Sequence, residues 1–265
     1  MVITPAEASI VVAATSLFGV VFSLGWNAVQ QRRLTELNSH LAEKQEADSK
    51  AAQAARLVAK FRDPLLESAF DLQSRLYNTL SKRNTFTWSN DSYYLPSTLF
   101  LVGQFFGWVE ILRRNMLYSD IADVGEAKQL LVRLRKIQSL FSATSSDYRD
   151  QRYIFRVEQR AIGEIMIDDS VAGEGDIAPR TTIGYATFRC RLDDDQFSRW
   201  FSRFEAGLKT PPPPDKPDRL RAIQIALIDL LDFLDSEQER FPDYRDRLPG
   251  DTELAANPPH HSDTA

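Results

Sequence analysis

The sequence predicts an all-α protein: an N-terminal single transmembrane helix, a helical stalk and a cytoplasmic multi-helix bundle. Three observations predict it. Residues 8–31 carry no charged side chain. Apolar residues recur at steps of three and four through most of the remaining chain. No long segment alternates apolar and polar residues as a half-buried strand does. The composition agrees with this. Of 265 residues, 43% are hydrophobic and 26% charged, enough for one sizeable core. Eleven Gly and thirteen Pro are too few for a collagenous or low-complexity chain. The single cysteine, Cys190, excludes a disulfide framework within the chain and any multi-thiolate zinc site. A formal charge of −5 argues against a nucleic-acid partner, which selects for basic surface.

The first element is the predicted membrane helix over 8–31, after a short extracytoplasmic N-terminus at 1–7. Nine strongly apolar residues fall between Ile10 and Leu24. Each favours insertion by roughly 0.3 to 0.6 kcal/mol near the bilayer centre, and about 20 helical residues cross the hydrocarbon layer. Trp26 stands near the end of the run, where an indole prefers the headgroup level. The rivals are a buried helix of a soluble protein and, chiefly, a cleaved signal peptide, which starts with basic residues, whereas here only Glu7 and the terminal amine precede the run. Arg32, Arg33, Lys44 and Lys50 follow it, so the positive-inside rule places the N-terminus outside and the rest in the cytoplasm.

A stalk is expected over 32–62. Steps of four and three link Ser9, Ala13, Ser16, Val20, Ser23, Asn27, Gln30, Leu34, Leu37 and Leu41. Small residues permit close helix approach in lipid, and the leucines continue the seam as a short coiled coil would. A homodimer through the 9–41 seam is one expectation; the alternative is an ordinary anchor followed by a solvated helical stalk. Lys44 and Asp48 interrupt the seam, and Ala47, Ala51, Ala54, Val58 and Phe61 resume the spacing. His40 lies in this stalk.

The cytoplasmic domain is expected over 63–241. Asp63-Pro64 has the form of a helix start, with Leu65, Leu66, Ala69, Leu72, Leu76 and Leu80 following at helical spacing. The segment from Leu95 to Leu117 is a second membrane candidate by apolarity. Its length, its hydroxyls and the charge order around Arg113 and Arg114 favour a buried core helix instead. Gly103 and Gly107 then admit a neighbouring helix. Asp123 and Glu126 form a capping-box pattern, as do Asp193 and Gln196. Residues 152–167 read as a helix, 182–190 as the one segment able to pass for a strand, and Gly207 as a helix end. The run Pro211–Pro214 is extended, Pro217 opens the last helix, and 242–265 is a flexible tail.

Few constellations carry chemistry. Only three histidines occur, His40 in the stalk and His260 and His261 in the tail, and they are not read as ligands, so no metal and no cofactor is expected. Asp229, Asp232 and Asp235 share one helical face and could hold a cation or do acid/base work if enclosed. Pairing with nearby arginines or solvation is the simpler expectation. Glu110 and Arg114 are correctly ordered for an i, i+4 pair. Glu158, Arg160 and Glu164 place charges on an apolar segment and can bond across the bundle. Asp193-Asp194-Asp195 is explained by capping, Gly173-Glu174-Gly175 lacks the Lys of a phosphate loop, and Cys190 has no apparent base.

Several segments also carry a resemblance. Phe61 to Leu66, Asp71 to Asn78, Gly107 to Arg114, Glu158 to Glu164 and Ala226 to Asp235 together resemble a bacterial group of uncharacterised membrane-anchored helical proteins. The resemblance covers about residues 57–240. It implies a helical fold and supplies no activity and no catalytic residue. The leading expectation is therefore a single-pass membrane-tethered adaptor or scaffold with an unidentified cytoplasmic protein partner. The alternative is a tethered enzyme or ligand sensor whose pocket gathers Glu110, Glu158 and Asp229 with arginines.

Overall fold

The computed structural model describes residues 5–81, 93–116, 122–144, 151–169, 180–210 and 218–248, with side chains at Trp26 and from residue 30 onward. The expected loop around Trp88, the Gly173–Gly175 stretch, Pro211–Pro214, His260 and His261 lie outside the described residues. The chain divides into two units, Met1–Ala52 and Gln53–Ala265. Eight helices and one pair of two-residue strands are described, so the fold is all-α in its essentials.

The first unit is helical backbone from Pro5, the start of α1 (Pro5–Ser81). Leu34, Leu37 and Leu41 are 56%, 55% and 51% exposed. Lys50 pairs with Glu46 across one turn at 2.7 Å, and His40 stands 3.7 Å from Glu43. Contacts this exposed are screened by solvent and contribute little to stability.

The second unit begins earlier than Asp63. Ala54, Val58 and Phe61 are buried in the same core as Leu65, Leu72 and Leu76, whereas Ala47 and Ala51 of the same stripe are exposed. Asp63-Pro64 is not a helix start: α1 runs through Pro64 without a break. The preference of Pro for a first turn is local, whereas buried residues on both sides of Pro64 hold the helix together through packing.

At the centre lies α2 (Tyr94–Met116), which is long and apolar enough to cross a membrane by length and composition. Its apolar side chains are covered by protein: Leu99, Val102, Phe105, Phe106, Ile111 and Leu112 are all buried. Against it packs α4 (Arg156–Ile165), and Gly163 sets the distance. A Cβ on Gly163 would lie 2.7 Å from the Phe106 carbonyl oxygen and 2.7 Å from Glu110 Cβ. The close helix approach expected at Gly103 and Gly107 belongs to this glycine. Gly103 instead faces Met166 and Phe201, and Gly107 faces Thr182.

Thr182 belongs to the short antiparallel pair of β1 (Ile167–Asp168) and β2 (Thr181–Thr182), which lies on α2. The rest of the expected strand segment is α5 (Tyr185–Arg191). Aromatic rings bind this side together. Phe188 meets Phe100, Phe197 and Phe201 edge to face at 5.5, 5.5 and 5.6 Å, a geometry that aromatic quadrupoles favour.

Helix starts differ from their sequence patterns by a residue or more. α3 (Gly125–Ser142) follows Val124 with no side-chain cap, so the Asp123–Glu126 box does not form. α6 (Asp195–Ser198) is capped by Asp194, which accepts from the Gln196 N–H at 2.9 Å. α7 (Ser202–Lys209) continues through Gly207, whose bare Cα admits the Gln151–Arg152 backbone. α8 (Arg219–Leu234) is capped by Asp218, which accepts from the Leu220 N–H at 3.0 Å. Residues 152–155 are not helical, and α4 begins at Arg156.

Residues 242–248 are not a free tail. Gln73 Nε2 donates to the Tyr244 carbonyl at 2.8 Å, Gln224 Nε2 donates to the Asp246 carbonyl at 2.9 Å, and Leu248 is buried. Residues 249–265 of the expected tail lie outside the described residues.

Candidate functional site

The three carboxylates proposed to share a pocket do not converge. Glu110, 2% exposed, accepts a fork from Arg113 at 2.6 and 2.7 Å and a third bond from Arg114 Nε at 2.9 Å. Burial raises its pKa, but those bonds and charges outweigh it and hold Glu110 below the usual carboxylate range. Glu158 accepts from the Phe155 N–H at 2.9 Å at the start of α4 and from Arg203 at 2.7 and 2.9 Å. Arg203 in turn rests against the rings of Tyr153 and Phe155. Asp229 is paired with Lys136 of α3 and Arg247, each at 2.8 Å. Each acid has its own cations, and none of these cations bonds two of the three.

The acidic face of α8 is likewise neutralised from outside the helix. Arg247 bridges Asp229 and Asp232, while Arg245 bonds Asp235 and reaches Asp232 at 3.4 Å. Burial raises Asp235, yet the N–H groups of Phe241 and Arg240, the Arg245 charge and the Glu239 N–H bring it below the ordinary range. Among the described residues no group of three or more His, Cys, Asp or Glu is placed to hold a metal ion. Cys190 is exposed on α5.

A buried pair escaped the sequence entirely. Arg152 donates to Asp218 at 3.3 Å and to the carbonyls of Gly207 and Thr210 at 3.0 Å each. It ties the entry to α4, the end of α7 and the start of α8 together. Charged donors spent on three chain segments act as a structural brace.

The cavity of greatest chemical interest lies between the last turns of α1 and the first turns of α2. It encloses about 640 Å³ and is lined by Asp71, Arg75, Asn78, Tyr93, Tyr94, Phe100 and Tyr185, among others. α1 supplies the polar wall because Asp71, Ser74, Arg75 and Asn78 recur at three- and four-residue steps, opposite the buried leucines. α2 supplies the aromatic wall at its entry, before its core-buried middle. Tyr94 is buried and its hydroxyl bonds that of Thr79; burial pushes its phenol up.

Asp71 and Arg75 are spaced to pair, acid before base by one turn, the favoured order on a helix. No ion pair joins them. The Arg75 guanidinium lies 5.5 Å from the Tyr93 ring centre and 5.2 Å from that of Tyr94. Partial loss of hydration at the cleft wall, then the charge of Glu67, pushes the Asp71 carboxyl up. Asp71 also borders a second cavity of about 330 Å³ with Glu67, Gln104, Trp108 and Thr182. The sequence signal for this site was the polar stripe on α1 together with the Tyr93-Tyr94 pair; neither has a defining motif.

Comparison with protein-family models, curated proteins and solved structures found no match.

Proposed function

We propose that this chain is a single-pass membrane-tethered helical adaptor or scaffold, with its N-terminus outside and its helical body displayed at the cytoplasmic face. The observation that carries this reading is the uncharged run over 8–31 on a helical backbone. Such a run is long enough to span the hydrocarbon layer. Trp26 at its end is 60% exposed, as suits an indole at headgroup level. Arg32 and Arg33 follow at once, on the side the positive-inside rule assigns to the cytoplasm.

Two further features support an adaptor. Leu34, Leu37 and Leu41 stand exposed at coiled-coil spacing, which favours self-association of the stalk through the 9–41 seam. Glu110, Glu158 and Asp229 are neutralised by arginines and lysines in separate places, an arrangement suited to rigidity more than to turnover. The kinship with membrane-anchored helical proteins of bacteria is part of the same proposal.

The test is extraction of the full-length chain from cell membranes. Alkaline carbonate is expected to leave it in the pellet and detergent to release it. Recovery in the carbonate supernatant overturns the tether. For the seam, Leu37→Cys is expected to give a crosslinked dimer in membranes that a cysteine at exposed Val132 does not give.

A further inference from the structure

We propose that the cavity between α1 and α2 binds a small aromatic carboxylic acid bearing a hydrogen-bond donor on its ring. Arg75 takes the carboxylate, Asp71 accepts from the donor, and Tyr93, Tyr94 and Tyr185 embrace the ring. The assignment stands apart from the tether and goes beyond an adaptor role.

The cavity volume of about 640 Å³ falls within the range of small-molecule sites, roughly 300 to 1,000 Å³. Among the described residues that line it, the one cationic side chain is Arg75 and the one acidic side chain is Asp71. Neither is spent on the other, although their spacing permits a pair. Among the described residues Arg75 makes no hydrogen bond to protein; aromatic rings hold it, 5.5 and 5.2 Å away. A guanidinium so held is pre-organised, and its planar fork matches a carboxylate in two parallel bonds.

The neighbouring charges choose among anions. Asp71 and, beyond it, Glu67 disfavour a dianion such as a phosphate monoester, whereas a single carboxylate is balanced by Arg75 alone. The walls choose the body of the ligand. Tyr93, Tyr94, Phe100 and Tyr185 present ring surfaces, with Phe100 and Tyr185 fixed edge to face at 5.2 Å. Rings of this kind favour a flat aromatic guest over a flexible acyl chain, whose ordering costs more entropy. A carboxylate acceptor one helical turn from Arg75 gives the opposite end of such a guest a place to donate.

The test uses full-length protein in detergent micelles and indole-3-acetate as probe, with binding measured by equilibrium dialysis. Saturable binding to one site is expected. 3-Methylindole, which lacks the carboxylate, should bind at least about tenfold more weakly, the scale of a lost charge-assisted bond. 1-Methylindole-3-acetate, which lacks the donor, should bind several-fold more weakly. Arg75→Gln should weaken the acid about tenfold or more and leave 3-methylindole unchanged. Tyr93→Leu should weaken all three compounds; Tyr93 is 60% exposed, so this variant keeps its core intact. Absence of saturable binding overturns the proposal. So does equal affinity for the acid and 3-methylindole, or an affinity for the acid unchanged in both variants.

Discussion

Glu110 shows how a single side chain can be both readable and misread. Its bond to Arg114 follows from i, i+4 spacing and is present at 2.9 Å. The tighter fork comes from Arg113, whose rotamer no sequence spacing dictates. Its burial against Gly163 is tertiary and likewise invisible in the chain. The lowered pKa values of Glu110 and Asp235 carry a sign. A carboxyl with a folded pKa below its unfolded value, about 4, stabilises above that pH and loses the contribution as pH falls through the folded value. Glu110→Gln is expected to lower unfolding free energy at pH 7 by about 1 to 3 kcal/mol. The gap from the unsubstituted protein should shrink below about pH 4. Urea titrations at pH 7 and pH 3 check both statements.

Among elements, the buried helices were the most legible and their ends the least. The leucine spacing after Pro64 and along α3 and α8 fixes a core face whatever the partner, and those faces are buried. Caps depend on single backbone torsions, so Asp194 replaced Asp193; the last helix is capped by Asp218, and Pro217 lies outside the described residues. The segment 242–248 was unreadable because it carries one buried apolar residue, Leu248, and docks mainly through polar bonds. Arg245, only 8% exposed, is its chief fastener to α8. Arg245→Ala should cost about 3 kcal/mol, as for one partner lost from a buried pair. Arg247→Ala, about half exposed, should cost under about 1 kcal/mol. Chemical denaturation of the two variants side by side measures the contrast.

At the scale of the molecule, the all-α class was legible because helical periodicity repeats in every long segment. The cavity was not. It joins residues 71–79 and 93–101 to the distant Tyr185, and its defining feature is that Asp71 and Arg75 decline a bond their spacing allows. Orientation across a bilayer can be read directly, since the chain holds one thiol and Cys190 is exposed. A membrane-impermeant maleimide is expected to leave Cys190 unlabelled in intact cells and to label it after permeabilisation. Labelling of intact cells reverses the proposed topology.

The nearness of α4 to α2 at Gly163 has a consequence for genetics. The obstacle to a side chain there is partly a main-chain oxygen, at Phe106, so trimming a neighbouring residue cannot clear the way. In a saturation library, position 163 should therefore tolerate nothing else. Growth or abundance screens for second-site revertants of Gly163→Ala should return true reversions and no local suppressors.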